Sequence, residues 1–187
     1  MISVGLDLSL AKTGVVILND GEKVFEGLIK SKPTGDSSRE ETVRLIEICN
    51  DIELTIEDNL GDEAPDIVVI EGLAFMAQGT SLVQLAGLNY MVRSMLVSQE
   101  WPFQIVAPST LKKFVTGSGA SKKDVMLLET YKVWGESFLD DNICDAFGLA
   151  KIGEALISDD IGITLNKPQK EVLNLLNKSW KNDPPSV

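Results

Sequence analysis

Carboxylates at three places in the sequence have the setting of a metal-dependent hydrolytic site. Asp7 stands between two leucines in an apolar segment, and Glu71 ends a run of four aliphatic residues. Asp145 lies four positions after Asp141, so the two share one face if this segment is helical. Carboxylates brought close together repel one another unless a cation neutralises them, and oxygen-rich sites suit Mg²⁺ or Mn²⁺. A group of carboxylates that holds two such ions about 4 Å apart can promote phosphodiester hydrolysis.

Each of these acids also has a structural explanation. Asp7 could bind the turn that follows it, and Glu71 could simply reach solvent at the end of its strand. Acids in the first turn of a helix are favoured by the helix dipole and as N-caps, so Asp140 and Asn142 are assigned mainly to capping. Asp145 lies one turn further into the helix and is assigned to the site.

The composition excludes several classes of catalytic and metal site. A chain of 187 residues with 44% hydrophobic and 24% charged residues predicts one folded domain with a sizeable core. There is no histidine, which excludes Ser-His-Asp and Cys-His catalysis and His-ligated zinc or haem. Cys49 and Cys144 form no CxxC pair, and residues 1–10 lack the features of a signal peptide. We therefore expect a cytoplasmic protein, or one of the host cytoplasm if the source is viral, with no membrane partner.

The charge is unevenly distributed. A net charge of −11 argues against a nucleic-acid partner, yet residues 101–123 contain four lysines and no acid: Lys112, Lys113, Lys122 and Lys123. An ammonium beside a phosphodiester stabilises the negative charge that develops during hydrolysis. A solvated surface is the alternative explanation, but the flexible loop at 117–119 within the same segment favours a functional role.

An alternation of strands and helices positions these residues. Apolar runs at 2–8, 15–18 and 24–29, with a tight turn at 19–21, predict an antiparallel meander. The pattern then predicts a long amphipathic helix over 43–61, a buried strand over 66–71, a helix over 81–98, a strand over 103–106, and helices over 108–115, 122–133 and 140–158. This order places the first and fourth strands side by side, so Asp7 and Glu71 are expected to meet.

Four segments, in this order, resemble motifs of the RuvC-type Holliday junction resolvases of the ribonuclease-H-like superfamily. They are Gly5-Leu6-Asp7-Leu8-Ser9-Leu10-Ala11-Lys12-Thr13-Gly14, similar to an opening GxDxxxxxTG; Val69-Ile70-Glu71, similar to the second-carboxylate strand; Ala107 to Lys112 with Gly117 to Lys122, similar to a two-lysine element; and Asp141-Asn142-Ile143-Cys144-Asp145-Ala146-Phe147, similar to a closing DxxDA helix start. The resemblance covers residues 1–158 and implies a ribonuclease-H-like α/β fold. Its five-stranded mixed sheet has three antiparallel strands followed by parallel strands, flanked by helices. Residues 159–187 are expected to form a C-terminal extension with one helix near 170–180 and a polar tail.

The resemblance also implies a metal centre. Asp7, Glu71 and Asp145 would be ligands of two Mg²⁺ ions per active site, with Mn²⁺ able to substitute. The family usually places an acid or a histidine three positions before the last aspartate, where this sequence has Asn142. Asp141, one position earlier, is taken as the substitute for the fourth ligand.

The same resemblance implies DNA contacts. It assigns them to six residues: Phe75, Met76, Lys112, Lys113, Lys122 and Lys123. Lys112 and Lys122 are implied as the catalytic or phosphate-contacting pair, and the other two lysines as backbone contacts. Phe75 would stack on bases at the junction centre. Packing of Phe75 in the core explains the sequence equally well.

Together with these residues, the resemblance therefore implies a Mg²⁺-dependent endonuclease that resolves four-way DNA junctions as a homodimer, with each active site nicking one of two symmetry-related strands. The uncharged stretch at 81–92 would lie in the dimer interface by resemblance, although core burial explains the same apolarity. Three alternatives stay open. They are a junction-binding protein without catalysis, an ATP-using phosphotransferase, for which the chain is short, and a related nuclease acting on flaps, other branched DNA or RNA.

Overall fold

The sheet has five strands in the order β3-β2-β1-β4-β5. The computed structural model describes residues 1–73, 80–158 and 162–182. Its elements are β1 (Ile2–Asp7), β2 (Lys12–Asn19), β3 (Glu22–Lys30), α1 (Ser38–Leu60), β4 (Ile67–Glu71), α2 (Thr80–Ser98), β5 (Phe103–Val106), α3 (Pro108–Thr116), α4 (Lys123–Trp134), α5 (Asp141–Ile157) and α6 (Lys167–Asn182). β1, β2 and β3 are antiparallel, whereas β4 pairs parallel with β1 and β5 parallel with β4. The prediction of a ribonuclease-H-like mixed sheet is confirmed.

β2 and α1 begin several residues earlier than the sequence pattern suggested. β2 starts at Lys12 because the Thr13 hydroxyl closes the preceding turn, donating to the Ser9 carbonyl at 2.9 Å and accepting from the Ser9 amide at 3.1 Å. α1 starts at Ser38 because Ser37 and Glu40 form a capping box. The Ser37 hydroxyl accepts from the Glu40 amide at 3.2 Å, and the Glu40 carboxylate accepts from the Ser37 amide at 3.1 Å.

The sheet has a hydrophobic core on each face, because alternate strand residues point to opposite sides. One core joins the sheet to α1 and α2 through residues such as Leu6, Ile52 and Leu88. The other joins it to α3, α5 and α6 through residues such as Val69 and Phe147. The two cores keep the sheet rigid, so the ends of its strands are fixed points for a site.

Helix α5 lies directly on the sheet because the strand positions beneath it are glycine. A Cβ atom added at Gly5 would stand 1.9 Å from the Ala146 carbonyl oxygen, and one added at Gly14 would stand 2.2 Å from the Asn142 carbonyl oxygen. No side chain fits between helix and sheet at these points. The first turns of α5, which carry Asp145, are thereby held against the ends of β1 and β2.

The segment after residue 158 adds a further helix to the second core. α6 packs on α3 and α5 and contributes Val172, Leu173 and Leu176 to the apolar cluster. Lys113 on α3 and Glu171 on α6 form an ion pair at 2.8 Å. Within the described residues, no helix combines the length and the apolarity that crossing a membrane requires.

Candidate active site

Asp7 and Glu71 end two neighbouring parallel strands at one edge of the sheet. The pairing of β1 with β4 sets Gly5 beside Val69 and Leu6 beside Ile70, so the next pair in register is Asp7 with Glu71. Both side chains lie on the face that α5 covers, and they share a hydrogen bond in which the Asp7 carboxyl group donates to Glu71. The expectation that these two acids meet therefore agrees with the structure.

Asp145 on α5 adds a third carboxylate to this edge. Asp7 is only 7% exposed, and burial, followed by the charges of Glu71 and Asp145, raises the pKa of its carboxyl group to about 9. Burial, and then the charge of Glu71, raises the pKa of Asp145 to about 6. Burial also raises the pKa of Glu71, against the opposing effect of the hydrogen bond from Asp7. Burial together with the neighbouring negative charges thus disfavours the charged forms of Asp7 and Asp145, and burial alone disfavours that of Glu71.

The donor atoms at this edge are those of a hard divalent cation. All three groups offer carboxylate oxygens, and crowded anions of this kind are stabilised by Mg²⁺ or Mn²⁺. As the side chains stand, no three Asp, Glu or Cys residues among the described ones converge tightly enough to hold a single ion. Asp7 and Glu71 are in contact, whereas Asp145 raises the pKa of Asp7 through its charge. The set fits a divalent metal in chemistry, and ligation by all three requires some side-chain rotation.

Two lysines bring positive charge to the carboxylates. Lys112 on α3 attracts Glu71 and Asp145 and opposes the rise in their pKa values. Lys123, the first residue of α4, attracts all three carboxylates. Lys122 is the N-cap residue of α4 and is not among the charges that shift these pKa values. Lys112 thus acts on two of the carboxylates and Lys123 on all three, while the role that the resemblance implies for Lys122 stays a prediction.

Asp141 is engaged by a lysine and stands apart from the three grouped carboxylates. Its side chain forms a close ion pair with Lys123, and it is not among the groups that shift the pKa of Asp7, Glu71 or Asp145. It therefore touches the site through the ammonium of Lys123. The sequence offered no signal for this contact, because it joins the starts of two separate helices.

Asn142 and Asp140 anchor the start of α5. The Asn142 side-chain amide donates to the Lys12 carbonyl at 2.7 Å, which ties the helix to β2. Asp140 is the N-cap, and its carboxylate accepts a hydrogen bond from the backbone amide of Asn142 at 2.9 Å. Asp140 also pairs with the Lys12 ammonium at 3.3 Å. The capping role expected for Asp140 is confirmed, and the Asn142 side chain is used for anchoring.

The remaining predicted DNA contacts divide into two groups. Phe75 and Met76 lie outside the described residues. Lys113 points towards α6, where it is bound to Glu171.

Thr13, the threonine of the first motif, is fully buried and closes the turn after β1. It therefore holds in place the backbone that carries Asp7.

The curated proteins found to be similar in sequence share one enzyme name. No family model matches the chain. Two curated proteins, the crossover junction endodeoxyribonucleases RuvC of Prochlorococcus marinus strains NATL1A and NATL2A, are each 32% identical to it over 130 residues, which is 66% of this chain and 77% of theirs.

Solved structures share the fold. Thermus thermophilus RuvC superposes with a TM-score of 0.64 at 18% identity, covering 80% of this chain and 91% of that one. The yeast mitochondrial Holliday junction resolvase Ydc2 gives a TM-score of 0.55 at 13% identity, covering 96% of this chain and 82% of that one. The same arrangement of strands and helices is therefore found in proteins that differ widely in sequence.

Proposed function

This chain belongs to the RuvC family of crossover junction endodeoxyribonucleases, and we propose that it is a metal-dependent endonuclease that resolves four-way DNA junctions by paired symmetric nicks. One structural observation supports this proposal for the chain itself. Asp7 and Glu71 lie in contact at the ends of adjacent parallel strands, with Asp145 facing them from α5.

The three carboxylates would hold the metal, which we propose to be two Mg²⁺ ions per site with Mn²⁺ able to substitute. Bound there, divalent ions supply the positive charge that promotes attack of water on a phosphodiester and stabilises the leaving oxygen. Asp7, with a pKa of about 9, carries a proton at neutral pH that it must release to become a ligand. Metal binding, and with it cleavage, is therefore expected to strengthen as pH rises from 6 towards 9.

Lys112 and Lys123 would hold the scissile phosphate and balance the charge that develops on it. A positioned cation acts where negative charge accumulates, and it needs no proton transfer to do so. Asp141 would orient Lys123 through their ion pair. In this arrangement the chain supplies acids on one side of the phosphate and ammonium groups on the other.

Replacing Lys123 by glutamine is expected to lower the single-turnover cleavage rate about tenfold, because an exposed ammonium is partly screened by solvent. Lys122→Gln is the matched control, since it removes the same charge one position earlier and is expected to change the rate less than about threefold. Rates are measured with enzyme in excess over a labelled junction. A larger loss in Lys122→Gln than in Lys123→Gln would show that the lysine implied by the resemblance is the one that acts.

The experiment that tests the proposed function is cleavage of a synthetic four-way junction labelled on each strand in turn. Incubation with Mg²⁺ or Mn²⁺ is expected to give nicks at symmetry-related positions on two opposing strands, and chelator is expected to abolish them. Binding without nicks under either metal would contradict the nuclease proposal and leave a junction-binding protein. Faster cleavage of a flap or of an RNA–DNA hybrid would point to a related nuclease instead.

We also propose a homodimer formed through α2. Three large apolar residues recur every seven positions on this helix and are strongly exposed: Val83 at 72%, Tyr90 at 63% and Val97 at 66%. Spacing of seven keeps them on one face of the helix. Arg93, whose guanidinium stacks over the Tyr90 ring at 4.5 Å, is the single charged residue of α2. An apolar stripe of this length favours a partner surface, and paired nicks require two active sites.

Tyr90→Glu combined with Val97→Glu is expected to convert a dimer into a monomer, because two charges would be buried against the partner helix. Light scattering after size-exclusion chromatography measures this as a halving of the mass. Leu128→Glu is the control, because Leu128 is 51% exposed on α4, which packs with the other core. A wild-type protein that is monomeric at micromolar concentration, or a variant that remains dimeric, would contradict the assignment of α2.

A further inference from the structure

Helix α6 presents a face rich in lysine in a protein whose net charge is negative. Lys167, Lys170 and Lys178 are all exposed. They lie opposite the apolar face of the helix, which packs into the core. Among the side chains that the structure describes, none of these three lysines forms an ion pair. In a chain of net charge −11, such a face is a local exception to the overall charge.

The charge of this face is not cancelled by its one described acid. Glu171 is bound by Lys113 of α3 at 2.8 Å, and the hydrogen bond from Lys113, followed by the charges of Lys113 and Lys167, holds the pKa of Glu171 below its usual value. Lys113 thus neutralises Glu171 and leaves the α6 lysines in excess. The span from Lys167 to Lys178 is eleven residues of helix, or about 16 Å at a rise of 1.5 Å per residue. Measured along the axis of a DNA duplex, at a rise of about 3.4 Å per base pair, that length corresponds to about five base pairs.

Helix α6 lies against elements that carry the lysines of the site. α6 packs on α3, whose Lys112 acts on Glu71 and Asp145. Pro168 of α6 lies beside Gly117, at the start of the loop that leads to Lys123. The face also lies on the opposite side of the sheet from α2, so a dimer formed through α2 leaves it uncovered.

We propose that the exposed face of α6 binds the phosphate backbone of a duplex arm of the DNA whose strand is cut at the carboxylates. This inference rests on the proposed function, since it takes DNA to be the ligand of the adjacent site. Lys167, Lys170 and Lys178 contact phosphates along one strand, and Lys113 keeps Glu171 from repelling them. The contacts are to backbone only, so they add affinity without sequence preference.

The test compares wild type with the triple variant Lys167→Gln, Lys170→Gln and Lys178→Gln. Dissociation constants for a four-way junction and for a linear duplex are measured by fluorescence anisotropy at several salt concentrations, with Ca²⁺ or chelator to prevent cleavage. The triple variant is expected to bind both DNAs at least about tenfold more weakly at 100 mM salt. The slope of log K against log salt is expected to fall by about 2 to 3, close to 0.9 for each phosphate that a lysine no longer neutralises.

The matched control is Lys132→Gln, which removes an exposed lysine of α4 that is paired with Glu129. It is expected to leave both the affinity and the slope unchanged, and each single α6 variant is compared with it. A triple variant that binds like wild type, with the same slope, would overturn the α6 inference while leaving the resolvase proposal intact. A wild type that binds the junction no better than the duplex, with a triple variant that weakens both, would instead count against the proposed function and support α6 as a DNA-binding face. A wild type that binds neither DNA would overturn both.

Discussion

Asp7→Asn is expected to lower the rate of junction cleavage by about 10³-fold or more while junction binding is retained. Asparagine keeps the size of the side chain and replaces one oxygen by a group that cannot neutralise a cation. The residue at this position lies in contact with Glu71 and faces Asp145, so it would share in holding both metal ions. Single-turnover cleavage in Mg²⁺ and anisotropy in chelator measure the two properties separately.

The control for this variant is Asp140→Asn. Asp140 lies near the same edge of the sheet, but it caps α5, and asparagine is an equally good N-cap. Cleavage by Asp140→Asn is expected to remain within about threefold of wild type, because the change removes only an exposed ion pair with Lys12. An Asp7→Asn protein that cleaves within tenfold of wild type would remove Asp7 from the metal site.

The same Asp7→Asn change is expected to stabilise the protein in the absence of metal. Folding raises the pKa of Asp7 from 3.8 to about 9. The folded state therefore binds this proton more tightly than the unfolded state does, and the free energy of unfolding falls as pH rises between these two values. Asparagine has no such charge to bury. We expect the variant to melt several degrees above wild type at pH 8 in chelator, with the difference shrinking towards pH 5.

Binding of a metal ion is expected to reverse the order of the melting temperatures of wild type and Asp7→Asn. An ion that binds the folded state alone stabilises it by mass action, so Mg²⁺ is expected to raise the melting temperature of wild type and to have little effect on Asp7→Asn. Differential scanning fluorimetry at pH 8, with and without Mg²⁺, gives both comparisons in one experiment. Equal Mg²⁺ shifts in the two proteins would place the metal elsewhere.

The contact between Asp7 and Glu71 could be predicted from the sequence because it follows from strand order and register alone. Both residues end apolar runs, and a strand pairs with its neighbour at fixed positions once the hydrophobic pattern sets the register. Asp145 could be anticipated for a similar reason, since it lies one turn inside a helix whose start was marked by a capping residue. The positions of these three acids could be predicted because the local sequence pattern defines the strands and helices, and only a few topologies can connect them.

Which lysine acts on the carboxylates could be predicted less reliably than the positions of the carboxylates themselves. Each residue turns an α-helix by about 100°, so a shift of one position in the start of α4 decides whether Lys122 or Lys123 faces the acids. Ser118 and Ser121 are capping residues that this sequence offers for the start of α4. The structure instead has Lys122 at the N-cap without a side-chain hydrogen bond, and the Ser121 hydroxyl lies 2.6 Å from that of Thr116. The pairing of Lys123 with Asp141 depends on the same phase and was missed for the same reason.

The two glycines beneath α5 were present in the first motif, yet their role lies in the packing of distant residues. Gly5 and Gly14 belong to the opening motif of the sequence, and the structure uses them to let the helix backbone reach the sheet. Contacts between residues so far apart in the chain leave no mark in the local pattern. The site therefore depends on two residues without a functional group. Because Gly5 and Gly14 have no side chain, α5 can lie close to the sheet, and this closeness sets the distance from Asp145 to Asp7.

Gly5→Ala is accordingly expected to destabilise the protein by about 3 kcal/mol or more, the upper end of the usual cost of overpacking. The added Cβ would stand 1.9 Å from the Ala146 carbonyl oxygen and 2.6 Å from the Ala150 amide nitrogen. These are backbone atoms of α5, so no side-chain rotation relieves the clash and the helix itself must move. Urea denaturation measures the loss of stability, and a displacement of the helix by about 1 Å is expected to cost about 10²-fold in cleavage rate.

Gly87→Ala is the matched control for this substitution. Gly87 lies within α2, and a Cβ there would meet only the Leu45 Cδ1 atom, at 3.3 Å. Alanine in a helix is favoured over glycine by up to about 1 kcal/mol, so this variant is expected to be as stable as wild type or more stable. If Gly5→Ala folds with wild-type stability and cleaves at the wild-type rate, then α5 is not held by the contact at Gly5, and another element must fix Asp145 opposite Asp7.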